Sequence, residues 1–372
     1  MNLFGLALRN LRRRPMRTSL STIGIALAVG SALALVALSN SIEDSTRAGL
    51  DEQGADLLVT EKNAPDLFGG FLPQQMEGQI ARVPGVARVT GEMFLFAPTD
   101  QDRHVLTSGW PDGSYFWNKI PLREGRLPRP GERKIALLGD SAAESLGKKL
   151  GDSIEIFGEK FHIIGITKYV SVINRGLLIV PLPDLQEATY RPRQVTMFHV
   201  TLRPGASQAE IDRVRQDIVG LGRLMVSFSS EVLKNDRNFN LLNAVSFSIS
   251  IIALTMGALN VLNTLLMTIQ ERTREIGIVA AIGWSDARIV SSILIEGQVM
   301  CAVGCAIGVA LGFLASFLFA ALPTIGNYIE FRPTLGLIIP TLAATEVLCL
   351  IGSFYPAWRA IRLTPAEALQ RA

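Results

Sequence analysis

Apolar positions run nearly unbroken through four stretches of the chain, residues 18–38, 241–268, 289–322 and 335–356. As helices, each is long enough to cross about 30 Å of hydrocarbon. The second and third hold no Lys or Arg and one acid, Glu296. Residues 39–240 return to the mixed rhythm of a folded domain. There, Gln74–Val83 predicts a helix ending at Pro84-Gly85, and Val86–Phe96 a strand. Ser153–Phe157 and Lys160–Thr167 predict a hairpin around Gly158-Glu159, with Gly158 suiting the first position of a type II′ turn. Ser207 followed by Glu210 is a capping box opening a helix whose apolar stripe is Ile211, Val214 and Ile218. Composition shifts near Gln101 and Arg175 suggest a lobe, residues 101–175, inserted into the rest.

The predicted fold is therefore an α-helical membrane protein with four transmembrane helices and a large α+β extracytoplasmic domain between helices 1 and 2. Composition agrees: mean hydropathy is +0.31 and charged residues make up 19% of 372. Basic residues in the short segments set the orientation. Segment 1–17 carries Arg9, Arg12, Arg13, Arg14 and Arg17, segment 269–288 carries Arg272, Arg274 and Arg288, and tail 357–372 carries Arg359, Arg362 and Arg371. The loop 323–334 has only Arg332. Both termini are expected in the cytoplasm, with the chain in the cytoplasmic (inner) membrane. Within the long segment acids slightly outnumber bases, so the overall pI near 8.8 belongs to the inner face. That charge suits anionic lipid of the bilayer, and no nucleic-acid partner is implied. A secretory signal also begins with basic then apolar residues, but the first run exceeds a typical h-region and Ala37-Leu38-Ser39 matches a cleavage site only loosely. It reads better as an uncleaved helix that Ser39–Leu50 continues as a polar stalk.

Signs of catalytic chemistry are missing. Gly139 to Lys149 lacks the spacing and the Ser or Thr of a phosphate loop. Gly139-Asp140-Ser141-Ala142-Ala143 lacks the final Gly of a nucleophile elbow. His104, His162 and His199 are dispersed, with no cysteine nearby. Cys301, Cys305 and Cys349 all lie in predicted spans, so no disulfide framework supports the outer domain. Cys301 and Cys305, one turn apart, read as small residues of helix packing. No catalytic residue, bound cofactor or metal site is expected.

Polar and small residues within the spans carry more information. Gly257, Asn260 and Thr264 recur at helical spacing with Asn263 beside them, and an Asn in hydrocarbon needs a partner, so this face should pack on protein. Gly304, Gly308 and Gly312 form a double GxxxG, serving either packing within the chain or dimerisation. Glu296 and Glu346 are the acids nearest to or within hydrocarbon. Glu296 sits close enough to the start of its run to be an interfacial anchor. Glu346 is nearer mid-span, where protonation, a polar partner or proton coupling would relieve its cost.

Between the second and third runs lies a compact charged segment containing Glu271, Arg272, Arg274, Glu275, Ile276, Gly277 and Gly283. On one continuous helix Glu271 would share a side with Arg274 and Glu275, at spacings of three and four. A short charged helix at a membrane face either marks that face as a solvated helix end or presents a surface to a soluble partner.

Asn263-Thr264-Leu265-Leu266-Met267 through Glu271–Gly277 to Ala281-Ile282-Gly283 resembles the signature of the MacB/FtsX-type permeases of ATP-binding cassette (ABC) systems. Ile295-Glu296, the glycine-rich third span, Tyr355–Ala360 and Thr364–Leu369 resemble the later signatures in the same order. Val83–Val86, Gly151–Gly165 and Val180–Leu182 are similar to landmarks of the family's outer domain, so the resemblance covers nearly the whole chain. Trp358 and Gln370 depart from it at commonly basic positions.

The resemblance implies a non-catalytic permease working as a dimer, homomeric or heteromeric, each copy engaging a cytoplasmic ATPase that binds ATP and Mg²⁺. Glu271 to Gly283 would form the coupling region. Because the chain begins about seventeen residues before its first span, the ATPase is expected as a separate subunit, with a periplasmic adaptor as a further partner. Function would follow by mechanotransmission that moves an envelope or efflux substrate. The alternative is an FtsX-like regulator of an extracytoplasmic cell-wall hydrolase.

Overall fold

The computed structural model describes residues 5, 9–10, 15–64, 69–101, 103–229, 231, 237–320 and 334–362. Arg12, Arg13, Arg14, Arg332, Thr364–Leu369, Gln370 and Arg371 lie outside the described residues. Two compact units emerge, one built from residues 1–39, 243–319 and 331–372, the other from residues 40–242 and 320–330.

The first unit contains the apolar stretches as long helices: α1 (Pro15–Gln53), α7 (Arg237–Glu271), α9 (Asp286–Ala320) and α10 (Leu335–Ile361). All are long and apolar enough to cross a membrane. At 1.5 Å per residue, the 39 residues of α1 extend about 58 Å, well beyond the hydrocarbon thickness. Its residues from Asn40 onward belong to the second unit.

The GxxxG glycines pack inside the chain. A Cβ on Gly308 would lie 2.7 Å from the Val29 Cβ and 2.9 Å from the Ala26 carbonyl oxygen. Gly304 meets Ile25 in the same way, and a Cβ on Gly312 would lie 3.2 Å from the Leu33 Cβ. Contacts thus recur every four residues on both α1 and α9, as when i±4 ridges interdigitate. On α7, Gly257 faces Ala28, Asn260 Nδ2 donates to the Ser21 carbonyl at 3.4 Å, and the Thr264 and Ser21 hydroxyls meet at 2.5 Å. Asn263 departs from expectation. It is exposed, because a residue next to Thr264 lies about 100° further round the helix than the face Thr264 shares with Asn260.

The second unit is built on a ten-stranded mixed sheet. Its strands are β1 (Leu57–Glu61), β3 (Val86–Pro98), β4 (His104–Trp110), β5 (Leu122–Gly125), β6 (Ile135–Gly139), β7 (Ser153–Ile156), β8 (Glu159–Thr167), β9 (Leu177–Pro181), β11 (Met197–Leu202) and β12 (Leu224–Phe228). They run in the order β12-β1-β11-β3-β4-β9-β6-β8-β5, with β7 beside β8. A separate pair joins β2 (Leu72–Pro73) to β10 (Gln194–Val195).

Both faces of the sheet are covered, so its central strands read as apolar runs rather than alternating ones. Leu57, Val105, Leu138 and Leu178 join one core, which also holds Ile80 of α2 (Met76–Ile80), Ala142 of α3 (Asp140–Leu146), Leu185 of α5 (Leu182–Ala188) and Ile218 of α6 (Gln208–Gly220). Leu58, Leu106, Leu137 and Ile179 point the other way, towards Leu50 and Phe116, with Ile173 of α4 (Val172–Arg175) packed against them. Glu52, near the end of α1, accepts hydrogen bonds from Val170 N (2.8 Å), Ser171 N (3.2 Å) and Asn174 Nδ2 (2.8 Å). That end of the helix is thereby fixed to the loop and helix preceding β9.

Strand β3 spans the two parts of the sheet. Its residues Val86–Glu92 pair with β11 and Met93–Pro98 pair with β4, so one strand belongs to both halves of the sheet. Residues 101–175 supply β4 through β8, and β9 follows at Leu177–Pro181. The capping box forms as expected, Ser207 N donating to Glu210 Oε2 at 2.7 Å. The hairpin turn differs from expectation. Ile156 pairs with Glu159, and both loop residues have positive φ, 50° at Phe157 and 80° at Gly158, which defines a type I′ turn rather than II′. Phe157 tolerates the left-handed conformation while its ring packs against the core.

Candidate coupling site between the second and third membrane helices

The charged segment is a helix broken once and then closed by a glycine cap. α7 ends at Glu271, Arg272 leaves helical geometry at φ −107° and ψ 15°, and α8 (Thr273–Ala281) begins anew. Thr273 Oγ1 donates back to the carbonyls of Ile269 (3.0 Å) and Gln270 (2.9 Å), a bond that bends helices. At the other end Trp284 N bonds the Val279 carbonyl and Gly283 N that of Ala280, a Schellman closure. Gly283 has φ +97°, where any side chain would be strained.

The break corrects the continuous helix expected from the sequence. Glu271 does not share a helical face with Arg274 and Glu275. It accepts a bidentate pair from Arg17 of α1, at 2.9 and 2.7 Å. Arg272 is the hub of the turn. Its Nε donates to Glu275 Oε2 at 3.0 Å and its Nη1 to Glu296 Oε2 at 3.3 Å. With the Asn10 amide oxygen turned towards it, the guanidinium also donates there at 3.0 and 3.1 Å. Glu296 is buried beside this cation. A cavity of about 270 Å³ opens among Arg272, Glu275, Ile276, Trp284 and Glu296.

The short helix α8 is two-sided. Ile276 and Ala280 pack with Trp284 against the membrane-helix core, and Gly277 is buried between them. Arg274 is exposed, as are Ile278 (43%) and Ile282 (76%), at spacings of four along one edge. Arg274 was among the expected coupling residues. Ile278, Ile282 and the clamp Arg17 were not, although the 274/278/282 spacing is visible in the sequence once the helix start is known.

The other intramembrane acid, Glu346, lies apart on α10. It is half-buried, and a suitably oriented Gln298 amide donates to it at 2.5 Å. Among the histidines, His104 and His162 are exposed while His199 is buried beside Glu92.

Four membrane-length helices, an α+β domain between the first and second in sequence, and a capped charged helix between the second and third define a polytopic membrane protein with an extracytoplasmic domain. Residues 18–216 match the MacB-like periplasmic core domain and residues 247–365 the FtsX-like permease C-terminal domain. The chain belongs to the MacB/FtsX-type permeases of ABC transporters.

The macrolide export ATP-binding/permease protein MacB of Nitrosomonas europaea is 23% identical over 95% of this chain and 57% of its own length. The ABC transporter permease YknZ of Bacillus subtilis is 22% identical over 98% of both chains. The pyoverdine export protein PvdT of Pseudomonas putida is 24% identical over 95% of this chain and 57% of its own. The chain thus spans a little over half the length of the MacB and PvdT relatives and nearly all of YknZ. Among solved structures, the periplasmic region of MacB from Actinobacillus actinomycetemcomitans aligns with 49% of this chain at 11% identity and a TM-score of 0.38.

Proposed function

We propose that this chain is the membrane subunit of an exporter in which a separate cytoplasmic ATPase docks on α8 and drives the extracytoplasmic domain through the long helices. The observation that carries this reading is the exposed Arg274, Ile278 and Ile282 edge, held on a helix whose opposite side is locked into the membrane core. Two apolar anchors beside a cation suit a protein interface better than a merely solvated helix end. The Arg272 hub ties that helix to α9, and the Arg17–Glu271 clamp ties the end of α7 just before it to α1, so a push on α8 bears on both. Helix α1 runs from Pro15 to Gln53 and Glu52 is hydrogen-bonded within the outer domain, so α1 is the element through which the motion would pass. The match to a MacB-like core domain over residues 18–216 supports export over control of a cell-wall hydrolase. Export by the MacB and PvdT relatives points to an envelope or efflux substrate, with a second copy of the chain and a periplasmic adaptor as partners.

Topology is the first test. With basic residues concentrated in segments 1–17, 269–288 and 357–372, α8 should lie in the cytoplasm with both termini. Asp112 is exposed in the outer domain and Ser285 follows the α8 cap, so cysteines at these positions report on opposite sides. An impermeant thiol reagent on intact spheroplasts should label position 112 and spare 285; the reverse pattern overturns the orientation.

Energy supply is the second test. The purified chain should not hydrolyse ATP until the ATPase is added, whereupon the two should co-purify and turn over nucleotide. Hydrolysis by the rigorously isolated polypeptide would sink the two-component reading.

A further inference from the structure

The third and fourth membrane helices bring together a set of metal-ligating groups that coupling does not use. Cys301 and Cys305 lie one turn apart on α9, both buried, with sulfurs 4.0 Å apart. Glu346 of α10 brings a carboxylate oxygen to them, and the three ligand atoms all fall within 4.8 Å of one another. Cys349, one turn further along α10, is buried in the same core and contacts Cys301. A tetrahedral centre with metal–sulfur bonds of about 2.3 Å holds its sulfurs about 3.8 Å apart, so the thiols already stand near ligating separation. Helix packing alone accounts for small buried residues at 301 and 305. It does not account for two thiols converging on the same acid from across a helix interface.

We propose that Cys301, Cys305 and Glu346 form an intramembrane site for a thiophilic divalent cation of the zinc class, with Cys349 as the adjacent fourth donor. On binding, the cation replaces the two thiol protons, forming two metal–sulfur bonds while both protons pass to water. Glu346 contributes a carboxylate oxygen and keeps its own negative charge, which the donating Gln298 amide stabilises. Two thiolates cancel the charge of the dication, which matters because an uncompensated charge among membrane helices is costly. Soft sulfur donors select zinc-like cations over Mg²⁺ and Ca²⁺. Occupancy would join α9 to α10 across their interface, and the sequence hides the site because Glu346 and Cys349 lie more than forty residues beyond Cys301 and Cys305.

The test is titration of the full chain, purified in detergent with a non-thiol reductant, by Cd²⁺ while following sulfur-to-cadmium charge-transfer absorption. One Cd²⁺ per chain should bind, be displaced by Zn²⁺ and be unaffected by Mg²⁺. Cys301→Ser and Cys305→Ser should each weaken Cd²⁺ binding at least tenfold and lower the band, the double serine variant should abolish the band, and Glu346→Gln should weaken binding at least tenfold, while the metal-free variants elute as the native protein does. An absent band in the native chain, native band strength and affinity in either serine variant, or unchanged affinity in Glu346→Gln overturns the site. Should a variant fail to fold, X-ray absorption on the zinc-loaded native protein decides instead: at least two sulfur neighbours and an oxygen support the site, and an all-oxygen or nitrogen shell refutes it.

Discussion

Replacing Glu92 with Ala should cost the outer domain about 3–5 kcal/mol, the usual penalty for stranding the partner of a buried ion pair. For a domain of this size that lowers the melting temperature by roughly 10 °C. Glu92 is buried on β3, where its carboxylate accepts from Ser108 Oγ, from Trp110 Nε1 at 2.8 Å and from His199 Nε2 at 2.5 Å. These groups lie on β3, β4 and β11, so the network joins strands where the two halves of the sheet meet. Phe116 closes over the His199 ring with centroids 4.9 Å apart, keeping water out. Glu92→Gln, which can still accept from Ser108 or Trp110, should lose less than Glu92→Ala. Thermal unfolding of the full chain in detergent, followed by tryptophan fluorescence, reads the difference; equal melting temperatures for native and Ala variants would show that the network bears no weight.

The same network gives the domain an acid limit. Burial pushes the Glu92 carboxyl up, but the facing His199 charge and the three hydrogen bonds outweigh it and hold the carboxyl below the usual range. A group with a depressed folded value stabilises the fold fully above its unfolded value, near 4.3 for Glu, and loses that contribution as pH falls towards the folded value. Stability should therefore decline below about pH 4. The decline should be shallower in Glu92→Gln, where no carboxylate remains to titrate.

Much of this architecture is legible from local pattern. Long apolar runs are membrane helices because hydrocarbon leaves a polar backbone no alternative. The Ser207–Glu210 box is read from a few neighbouring residues, whereas the helix expected over Gln74–Val83 is only Met76–Ile80 and ends at Ala81, ahead of Pro84-Gly85. Long-range pairing is different. Nothing near Val86–Pro98 says that one strand serves two halves of a sheet, and the turn type at Phe157-Gly158 is settled by register rather than by the position of the glycine. The coupling segment shows the same division. Its charges and its Gly283 cap are plain in the sequence, whereas the partners that hold Arg272 at the break, Glu296 twenty-four positions away and Asn10, are not. Asn263 differs for a smaller reason, since one residue of helical phase separates the packed face from the outer one.

A charge-reversed and polar edge on α8 should release the ATPase while leaving the permease folded. The break at Arg272 decides which residues to change. Glu275 pairs with Arg272 at 3.0 Å, so exchanging Arg274 and Glu275 would set two guanidinium groups together inside the hub and confound docking with local collapse. Arg274 and Ile282 avoid that difficulty: both are exposed and point away from the cluster formed by Ile276, Ala280 and Trp284. In Arg274→Glu with Ile282→Asp, loss of one apolar anchor and reversal of one charge should together cost about 2–4 kcal/mol of binding, a roughly thirtyfold to thousandfold weaker association. Insertion and outer-domain folding do not depend on that edge, so expression level, detergent elution and melting temperature should stay native. Arg17→Ala provides the contrast. It removes the clamp on Glu271 without touching the exposed edge, so the ATPase should still bind but transmit its motion poorly, separating hydrolysis from transport. Normal co-purification and transport in the Arg274→Glu, Ile282→Asp variant would place the docking surface elsewhere on the chain.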